Sequence, residues 1–169
     1  PNSIEVEDTY LRLDKELGEL FDFLDKTVGK GQYLSFITAD HGVAHVPGYM
    51  NEHNLPGGAV DDNKLVSDLN KILAEKYKHN NLVLSAYNYQ ISLNHTIIDT
   101  ADLDKEDIIE DVIKFASKIQ GVDRVFAIDE LMEQPMNAVV KDRLANGWHP
   151  KRSGDVQLLF APGWIDGGK

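Results

Sequence analysis

The sequence contains no cysteine, which excludes disulfide bonds and thiolate metal ligands. Basic residues are also scarce: 17 Lys and Arg stand against 28 Asp and Glu, giving a formal net charge of -11. No apolar run approaches the roughly 20 residues that a helix needs to cross a bilayer. Nucleic-acid backbones and anionic membranes attract clustered Lys and Arg, so this composition predicts neither a nucleic-acid partner nor membrane insertion.

Two further absences narrow the possible chemistry. The sequence has no Gly-rich phosphate-binding loop and no Gly-x-Ser-x-Gly nucleophile elbow. None of its Thr or Ser residues lies in a context typical of a catalytic nucleophile, so we predict no catalytic residue within these 169 residues. The chain begins at Pro1 rather than at a methionine, and we expect it to be a piece of a longer protein.

What the sequence does contain indicates a folded α/β protein. Apolar residues make up 42% of the chain and alternate with scattered charges, as in globular domains. Apolar residues from Val6 to Leu24 recur at helical spacing and predict an amphipathic helix with its apolar stripe in a core. Further helices are predicted from the patterns that begin at Asp61, Asp104 and Asn137, with Asp61 or Asp62 and Asn137 as N-caps. Strands are predicted at 82–86, 89–93, 122–128 and 155–160, the first two forming a hairpin around Tyr87-Asn88.

The most informative stretch runs from Tyr33 to Gly42 and reads Tyr-Leu-Ser-Phe-Ile-Thr-Ala-Asp-His-Gly. Its first residues have strand-forming, mostly apolar character, and an adjacent carboxylate and imidazole follow. This pattern predicts a strand that places Asp40 and His41 at its carboxyl end, where ligands bind in open α/β sheets. An Asp oxygen with a His nitrogen suits zinc or another divalent transition metal better than calcium or magnesium.

The alternative is that Asp-His-Gly is an ordinary polar turn after a strand, because two ligands alone do not make a metal site. Two more histidines lie in the irregular segment 43–60 that follows. His45 comes four residues after His41, a spacing that shares one face if a helical turn forms, and His53 lies further along. Both are candidate residues near the site, and the alternative for each is a polar loop histidine.

The stretch Thr38-Ala39-Asp40-His41-Gly42 resembles the metal-binding signature of the alkaline phosphatase superfamily. A second stretch is more specific. Arg152-Ser153-Gly154-Asp155, the strand after it and Pro162-Gly163-Trp164 are similar to the late strand and turn of the type I phosphodiesterase and nucleotide pyrophosphatase family, in particular its bacterial secreted alkaline phosphatases. Phosphoglycerate mutases of the superfamily usually continue Asp-His-Gly with Asn, whereas Val43 follows here.

This resemblance implies a fold, a reaction and a location. It implies an α/β fold that is part of an alkaline-phosphatase-like sheet covered by helices, with a small inserted α+β subdomain. Residues 1–60 and 147–169 would belong to the metal-site domain and 61–146 to the insertion, with 155–160 returning to the main sheet. The implied activity is phosphoric ester hydrolysis on a small phosphate-ester substrate, in a periplasmic or secreted protein.

The resemblance also implies two Zn²⁺ ions in the full-length active site, with Asp40 and His41 ligating one of them. The Thr or Ser nucleophile and the other ligands would lie outside this chain, so the chain alone is expected to be inactive and to hold zinc weakly or not at all. Two alternatives remain: a phosphoglycerate-mutase-like metalloenzyme of the same superfamily, or a non-catalytic α+β interaction module in which Asp-His-Gly is a coincidence.

Overall fold

The computed structural model describes residues 3–167, which divide into two compact units. The first unit ends at Val46 and the second begins at Pro47. Each unit is built from different elements, so they are described separately.

The first unit contains one long helix, α1, at Ile4–Leu24. Ser3 caps it, because the Ser3 hydroxyl oxygen accepts a hydrogen bond from the backbone N–H of Val6 at 3.4 Å. A π-helical turn, Asp25–Gly29, follows, and Gly29 then takes a φ of 110° that ends the helical conformation. The predicted helix is therefore confirmed in both position and length.

The prediction that the apolar stripe of α1 lies in a core is wrong for this structure. None of the residues of α1 is buried, and the Tyr10 and Phe23 side chains are 65% and 60% exposed. Apart from the short π-helical turn that continues it, the described part of the first unit offers no helix or strand to cover the stripe. An amphipathic pattern predicts a face that can be buried, and burial also requires a neighbouring element.

The strand predicted within residues 33–42, ahead of Asp40 and His41, is also not formed. Leu34 and Phe36 are 90% and 85% exposed, and no strand among the described residues pairs with this segment. A β-strand is stabilised by a hydrogen-bonded neighbour, so strand-forming composition alone does not produce one. The Tyr33 hydroxyl ties the segment back to the preceding helical residues: it lies 3.4 Å from the carbonyl oxygen of Phe21 in α1 and 2.9 Å from Oδ1 of Asp25 in the π-helical turn.

The second unit contains the remaining elements. In chain order they are α2 (Pro47–Glu52), β1 (Gly58–Val60), α3 (Asp62–Tyr77), β2 (Val83–Tyr87), β3 (Gln90–Leu93), α4 (His95–Thr100), α5 (Lys105–Ala116), β4 (Val122–Ala127), a 3-10 helix (Ile128–Glu133), α6 (Ala138–Gly147), β5 (Val156–Phe160) and β6 (Trp164–Asp166).

Four of these strands form an antiparallel sheet in the order β2-β3-β5-β4. Strand β5 has a neighbour on each side, so that Val156 lies opposite Ile91 of β3 and Ala127 of β4. The family resemblance predicted that this strand returns to the main sheet of the metal-site domain. In the structure it lies between the hairpin β2–β3 and β4. The residues of β5 are apolar enough for either sheet, and local pattern does not specify a partner.

Helices α3 and α5 supply most of the helical side of the core. An aspartate caps the N-terminus of each helix. The Asp61 carboxylate accepts a hydrogen bond from the Lys64 N–H at 2.8 Å, and the Asp104 carboxylate accepts one from the Asp107 N–H at 3.1 Å. Full burial of one aliphatic side chain stabilises the fold by roughly 1.5–3 kcal/mol. The largest fully buried side chains of the unit are Leu69, Leu73, Leu82, Ile91, Leu93, Ile98, Ile108, Val112, Val156 and Leu158.

Strands β1 and β6 form a separate parallel pair, with Gly58 opposite Trp164. The Trp164 indole fills the space that glycine leaves open: a Cβ built on Gly58 or Gly121 would lie 2.7 or 2.1 Å from indole atoms. Neither short strand was predicted, because three residues are too few for a periodic pattern. The sequence-based assignment of 1–60 and 147–169 to one domain stays a prediction, and the compact units divide at a different place, after Val46.

Candidate metal centre

Asp40 and His41 lie in the first unit, in an irregular segment after α1. Both side chains face solvent, with 86% of the Asp40 side chain and 77% of the His41 side chain exposed. Neighbouring residues of a regular strand point to opposite faces, so the absence of strand geometry at these two residues allows their side chains to turn toward each other.

The two side chains do meet. Oδ2 of Asp40 lies 3.4 Å from Nε2 of His41. The other carboxylate oxygen of Asp40, Oδ1, accepts a hydrogen bond from the backbone N–H of His41 at 3.0 Å. This local bond fixes the carboxylate and leaves Oδ2 directed at the imidazole.

The second ring nitrogen of His41 determines which nitrogen can be a ligand. Nδ1 lies 2.8 Å from the carbonyl oxygen of Gly42. A carbonyl oxygen only accepts hydrogen bonds, so Nδ1 carries the proton, and in the neutral ring Nε2 has the free lone pair. Metal-ligating histidines commonly donate their other N–H in this way, which orients the ring and raises the basicity of the ligating nitrogen.

The distance between these atoms agrees with a metal-bound arrangement. Zinc binds Asp oxygen and His nitrogen at about 2.0–2.1 Å with tetrahedral angles, which places two such ligand atoms about 3.3 Å apart. The measured separation is 3.4 Å. In the neutral tautomer both atoms are acceptors, so a cation between them would relieve the repulsion of their facing lone pairs. The pair thus fits one edge of a zinc tetrahedron.

The pair does not make a complete site. Among residues 3–167 no group of three or more His, Asp or Glu side chains is arranged to hold a metal ion. A stable zinc site uses three or four protein ligands. The described residues therefore supply two ligands at most to one ion.

The two additional histidines lie in different units. His45 is exposed in the first unit, and His53 follows α2 in the second. Nδ1 of His53 lies 2.9 Å from the Tyr49 carbonyl oxygen, and the two rings stack with their centroids 4.0 Å apart. These local contacts account for the position of His53. A role near the metal stays a prediction for both histidines.

A second pair of ionisable groups was not predicted. Asp62, in the first turn of α3, is only 8% exposed and forms a side-chain hydrogen bond with Asp166 of β6. Burial, then this hydrogen bond and the charges of Asp166 and Asp61, raise the pKa of Asp62 from 3.8 to about 7. The sequence suggested only a capping role at 61 or 62, and no local pattern relates Asp62 to Asp166. The pair lies in the second unit, apart in sequence from Asp40 and His41.

Comparison with solved structures defines the class of protein. The crystal structure of wild-type alkaline phosphatase PafA matches with a TM-score of 0.93 and 39% identity, covering 98% of this chain and 31% of that one. The predicted fold class is thereby confirmed: a mixed α/β part of an alkaline-phosphatase-superfamily protein. Within this superfamily, a sequence model of type I phosphodiesterases / nucleotide pyrophosphatases matches residues 1–167. The chain belongs to the type I phosphodiesterase / nucleotide pyrophosphatase family.

Two curated relatives are similar along nearly the whole chain. Alkaline phosphatase PafA of Elizabethkingia meningoseptica is 41% identical over 166 residues, which are 98% of this chain and 30% of that protein. A Myroides odoratus protein named calcium-transporting ATPase is 39% identical over 168 residues, 99% of this chain and 31% of that protein. The chain thus spans about a third of the length of these relatives. Within residues 3–167, no helix is both long enough and apolar enough to cross a membrane.

Proposed function

We propose that this chain is part of a zinc-dependent phosphoric ester hydrolase and supplies Asp40 and His41 as ligands of one zinc ion. The observation that carries the proposal is the 3.4 Å separation of Asp40 Oδ2 and His41 Nε2, with Nδ1 of the same ring held by the Gly42 carbonyl. Membership of the type I phosphodiesterase / nucleotide pyrophosphatase family supports the reaction class.

In this proposal each local contact has a defined purpose. The backbone N–H of His41 holds the Asp40 carboxylate so that Oδ2 remains available to a metal ion. The Gly42 carbonyl keeps the proton on Nδ1, so that the lone pair of Nε2 is free to coordinate the same ion. When bound, a two-zinc centre supplies Lewis-acid activation and stabilises the charge that develops on phosphoryl oxygens. The full-length site would hold two Zn²⁺ ions, with the other ligands lying outside residues 1–169.

The proposed nucleophile is a Thr or Ser hydroxyl outside this chain, which accepts the phosphoryl group before water releases it. The substrate class is a small phosphate ester. An anionic ester approaching a chain of net charge -11 requires a local positive field, and bound cations provide one. By likeness to secreted bacterial relatives, we place the full-length protein in the periplasm or outside the cell.

The chain by itself is proposed to be inactive. Two ligand atoms on an exposed loop cannot exclude water or fix the coordination number of an ion. The test is an assay of the 169-residue chain with p-nitrophenyl phosphate and added zinc. We expect no release of p-nitrophenol above that of zinc in buffer. Turnover that is present in the chain and lost in Asp40→Ala would overturn this part of the proposal.

The second test uses the full-length protein that contains this chain. Asp40→Asn and His41→Ala should each lower kcat/KM for p-nitrophenyl phosphate by about 100-fold or more, since each removes a ligand of a catalytic ion. The bound zinc, measured by mass spectrometry, should fall in the same variants. His79→Ala, which removes an exposed histidine of the second unit, is the matched control and should change neither quantity. Full activity in both ligand variants would refute the assignment.

The same protein distinguishes the alternatives. A phosphoglycerate-mutase-like enzyme would isomerise phosphoglycerate without releasing phosphate, and a non-catalytic interaction module would do neither. The match of the type I phosphodiesterase / nucleotide pyrophosphatase family over residues 1–167 favours the hydrolase. Phosphate release that depends on Asp40 and His41 would exclude both alternatives.

A further inference from the structure

A cleft in the second unit has the size and lining of a small-molecule site. It measures about 370 Å³ and lies between the β2–β3 turn, α6, β5 and Trp164 of β6. Ligand pockets commonly measure roughly 300–1,000 Å³. Its lining includes three aromatic residues, Tyr89, Phe160 and Trp164, together with Arg143 and the amide side chains of Gln90 and Gln157. We call it the aromatic cleft.

The backbone at Tyr89 is unfavourable for a tyrosine. Asn88 and Tyr89 connect β2 to β3, and both have positive φ, 49° and 62°. This left-handed conformation suits Asn and Gly, whereas a bulky side chain adopts it at a cost in free energy. The Tyr89 ring packs edge-on against Phe160, with centroids 4.9 Å apart, and 43% of the residue stays exposed. Strained residues of this kind cluster at ligand sites.

The amide side chains in the lining of the aromatic cleft are held in place by hydrogen bonds. Gln157 is 2% exposed, and its amide nitrogen donates to the carbonyl oxygens of Tyr89 and Leu158, both at 2.9 Å. Its amide oxygen accepts from the side-chain nitrogen of Gln90 at 3.2 Å. These bonds fix the turn that carries Tyr89 to β5. On the Trp164 side, the indole is confined by its close contacts with Gly58 and Gly121.

The charge at the aromatic cleft comes from Arg143. This arginine is exposed on α6, and among the described residues its guanidinium has neither a hydrogen bond nor an ion pair. An exposed guanidinium without a carboxylate partner is free to contact an anionic ligand. A planar guanidinium beside aromatic walls matches an anion attached to a planar ring.

We propose that the aromatic cleft binds a small planar aromatic anion, with its ring against Tyr89 and its anionic group on Arg143. The site lies entirely within the second unit and is independent of the proposed zinc ligands. An aliphatic anion would lack the ring contact, and an aromatic cation would be repelled by Arg143.

The probe for this proposal is 2-naphthoate, titrated into the ¹⁵N-labelled chain by NMR in the presence of EDTA, which removes metal ions that could bind a carboxylate. We expect saturable shifts confined to the lining of the aromatic cleft, namely at Tyr89, Arg143, Phe160 and the Trp164 indole N–H. Cyclohexanecarboxylate and 2-naphthylmethylamine should bind at least about 10-fold more weakly, since each lacks one of the two recognised features.

Variants separate recognition from packing. Arg143→Gln should weaken 2-naphthoate binding at least about 10-fold, while Arg152→Gln, an exposed arginine outside the cleft, should leave it unchanged. Tyr89→Gly should weaken binding as strongly while the midpoint of urea unfolding changes little, because the relief of positive-φ strain offsets the lost packing against Phe160.

The proposal is overturned if 2-naphthoate shows no saturable binding, or if cyclohexanecarboxylate binds with equal affinity. Unchanged affinity for 2-naphthoate in Arg143→Gln or in Tyr89→Gly would also overturn it, since the proposal assigns a recognition role to each residue. In Tyr89→Gly, unchanged affinity with a fall in stability would assign Tyr89 to packing.

Discussion

Gly121 shows at the residue scale how the absence of one side chain positions another. It has a φ of 92°, and a Cβ at this position would lie 2.1 Å from Cε3 of Trp164. Both the backbone conformation and the space therefore require glycine at this position. The contact also holds β6 against the turn between α5 and β4, although these segments are far apart in sequence.

Gly121→Ala should destabilise the chain by about 2–5 kcal/mol, the sum of left-handed strain and overpacking against the indole. The free energy of urea unfolding measures it. Gly147→Ala is the matched control, since a Cβ there meets nothing within 4 Å and the helix-favouring alanine should leave stability unchanged or raise it by up to about 1 kcal/mol. Equal effects of the two substitutions would contradict the packing argument.

Asp62 gives a second prediction at this scale, a dependence of stability on pH. Its pKa rises from 3.8 to about 7 on folding, mainly because of burial, so the folded state holds the proton more tightly than the unfolded state. The stabilisation by the protonated carboxyl is complete below about pH 4 and is lost as pH rises to about 7. Asp62→Asn should remove this part of the pH dependence of the urea midpoint, and Asp99→Asn, an exposed aspartate, should retain it. If the urea midpoint of Asp62→Asn changed with pH in the same way as that of the unsubstituted chain, the assignment of this pH dependence to Asp62 would be wrong.

At the scale of elements, the sequence predicted best those features that depend only on neighbouring residues in the chain. Helices α1, α3, α5 and α6 were predicted from their apolar periodicity, and Asp61 and Asn137 act as the predicted caps. The β2–β3 hairpin was predicted around Tyr87-Asn88. A capping side chain and an apolar stripe depend on neighbours within a few residues, which a single sequence shows directly.

Features that depend on distant partners were not predictable. The segment 33–38 has the composition of a strand, but no described strand pairs with it. Strands β1 and β6 do pair with each other, but at three residues each they are too short to show an alternating apolar pattern in the sequence. The same distinction applies to the sites. Asp40 and His41 are adjacent in sequence and were identified as a pair, whereas Asp62–Asp166 and Tyr89–Arg143 are brought together only by the fold.

Hydrogen exchange tests the difference between the unpaired segment 33–42 and the paired strand β5. Backbone amides of residues 33–42 should exchange rapidly in the chain, because no described strand pairs with them and their side chains are exposed. Amides of β5 should exchange slowest, since β5 is paired on both sides. Mass spectrometry of peptic peptides measures both. Strong protection of 33–42 would show that the segment finds a partner in solution.

At the scale of the whole molecule, stability and the proposed metal site are separate. The hydrophobic core lies entirely within residues 47–169, whereas Asp40 and His41 are exposed in the first unit. A ligand stabilises a fold only to the extent that it binds the folded state. Adding EDTA should therefore leave the thermal midpoint of the chain unchanged, and the Asp40→Asn, His41→Ala double variant should give the same midpoint with or without EDTA. A drop of several degrees on chelation in the unsubstituted chain alone would contradict this.

The strand order β2-β3-β5-β4 has a consequence for synthesis on the ribosome. The middle strand is made last, so the nascent hairpin and β4 each present an unpaired edge until Phe160 has emerged. At about 5–20 residues per second, this interval lasts for a few seconds. If translation stalls before Val156, the hairpin β2–β3 and strand β4 keep unpaired edges that can aggregate. The nascent chain therefore has most need of a chaperone in that interval.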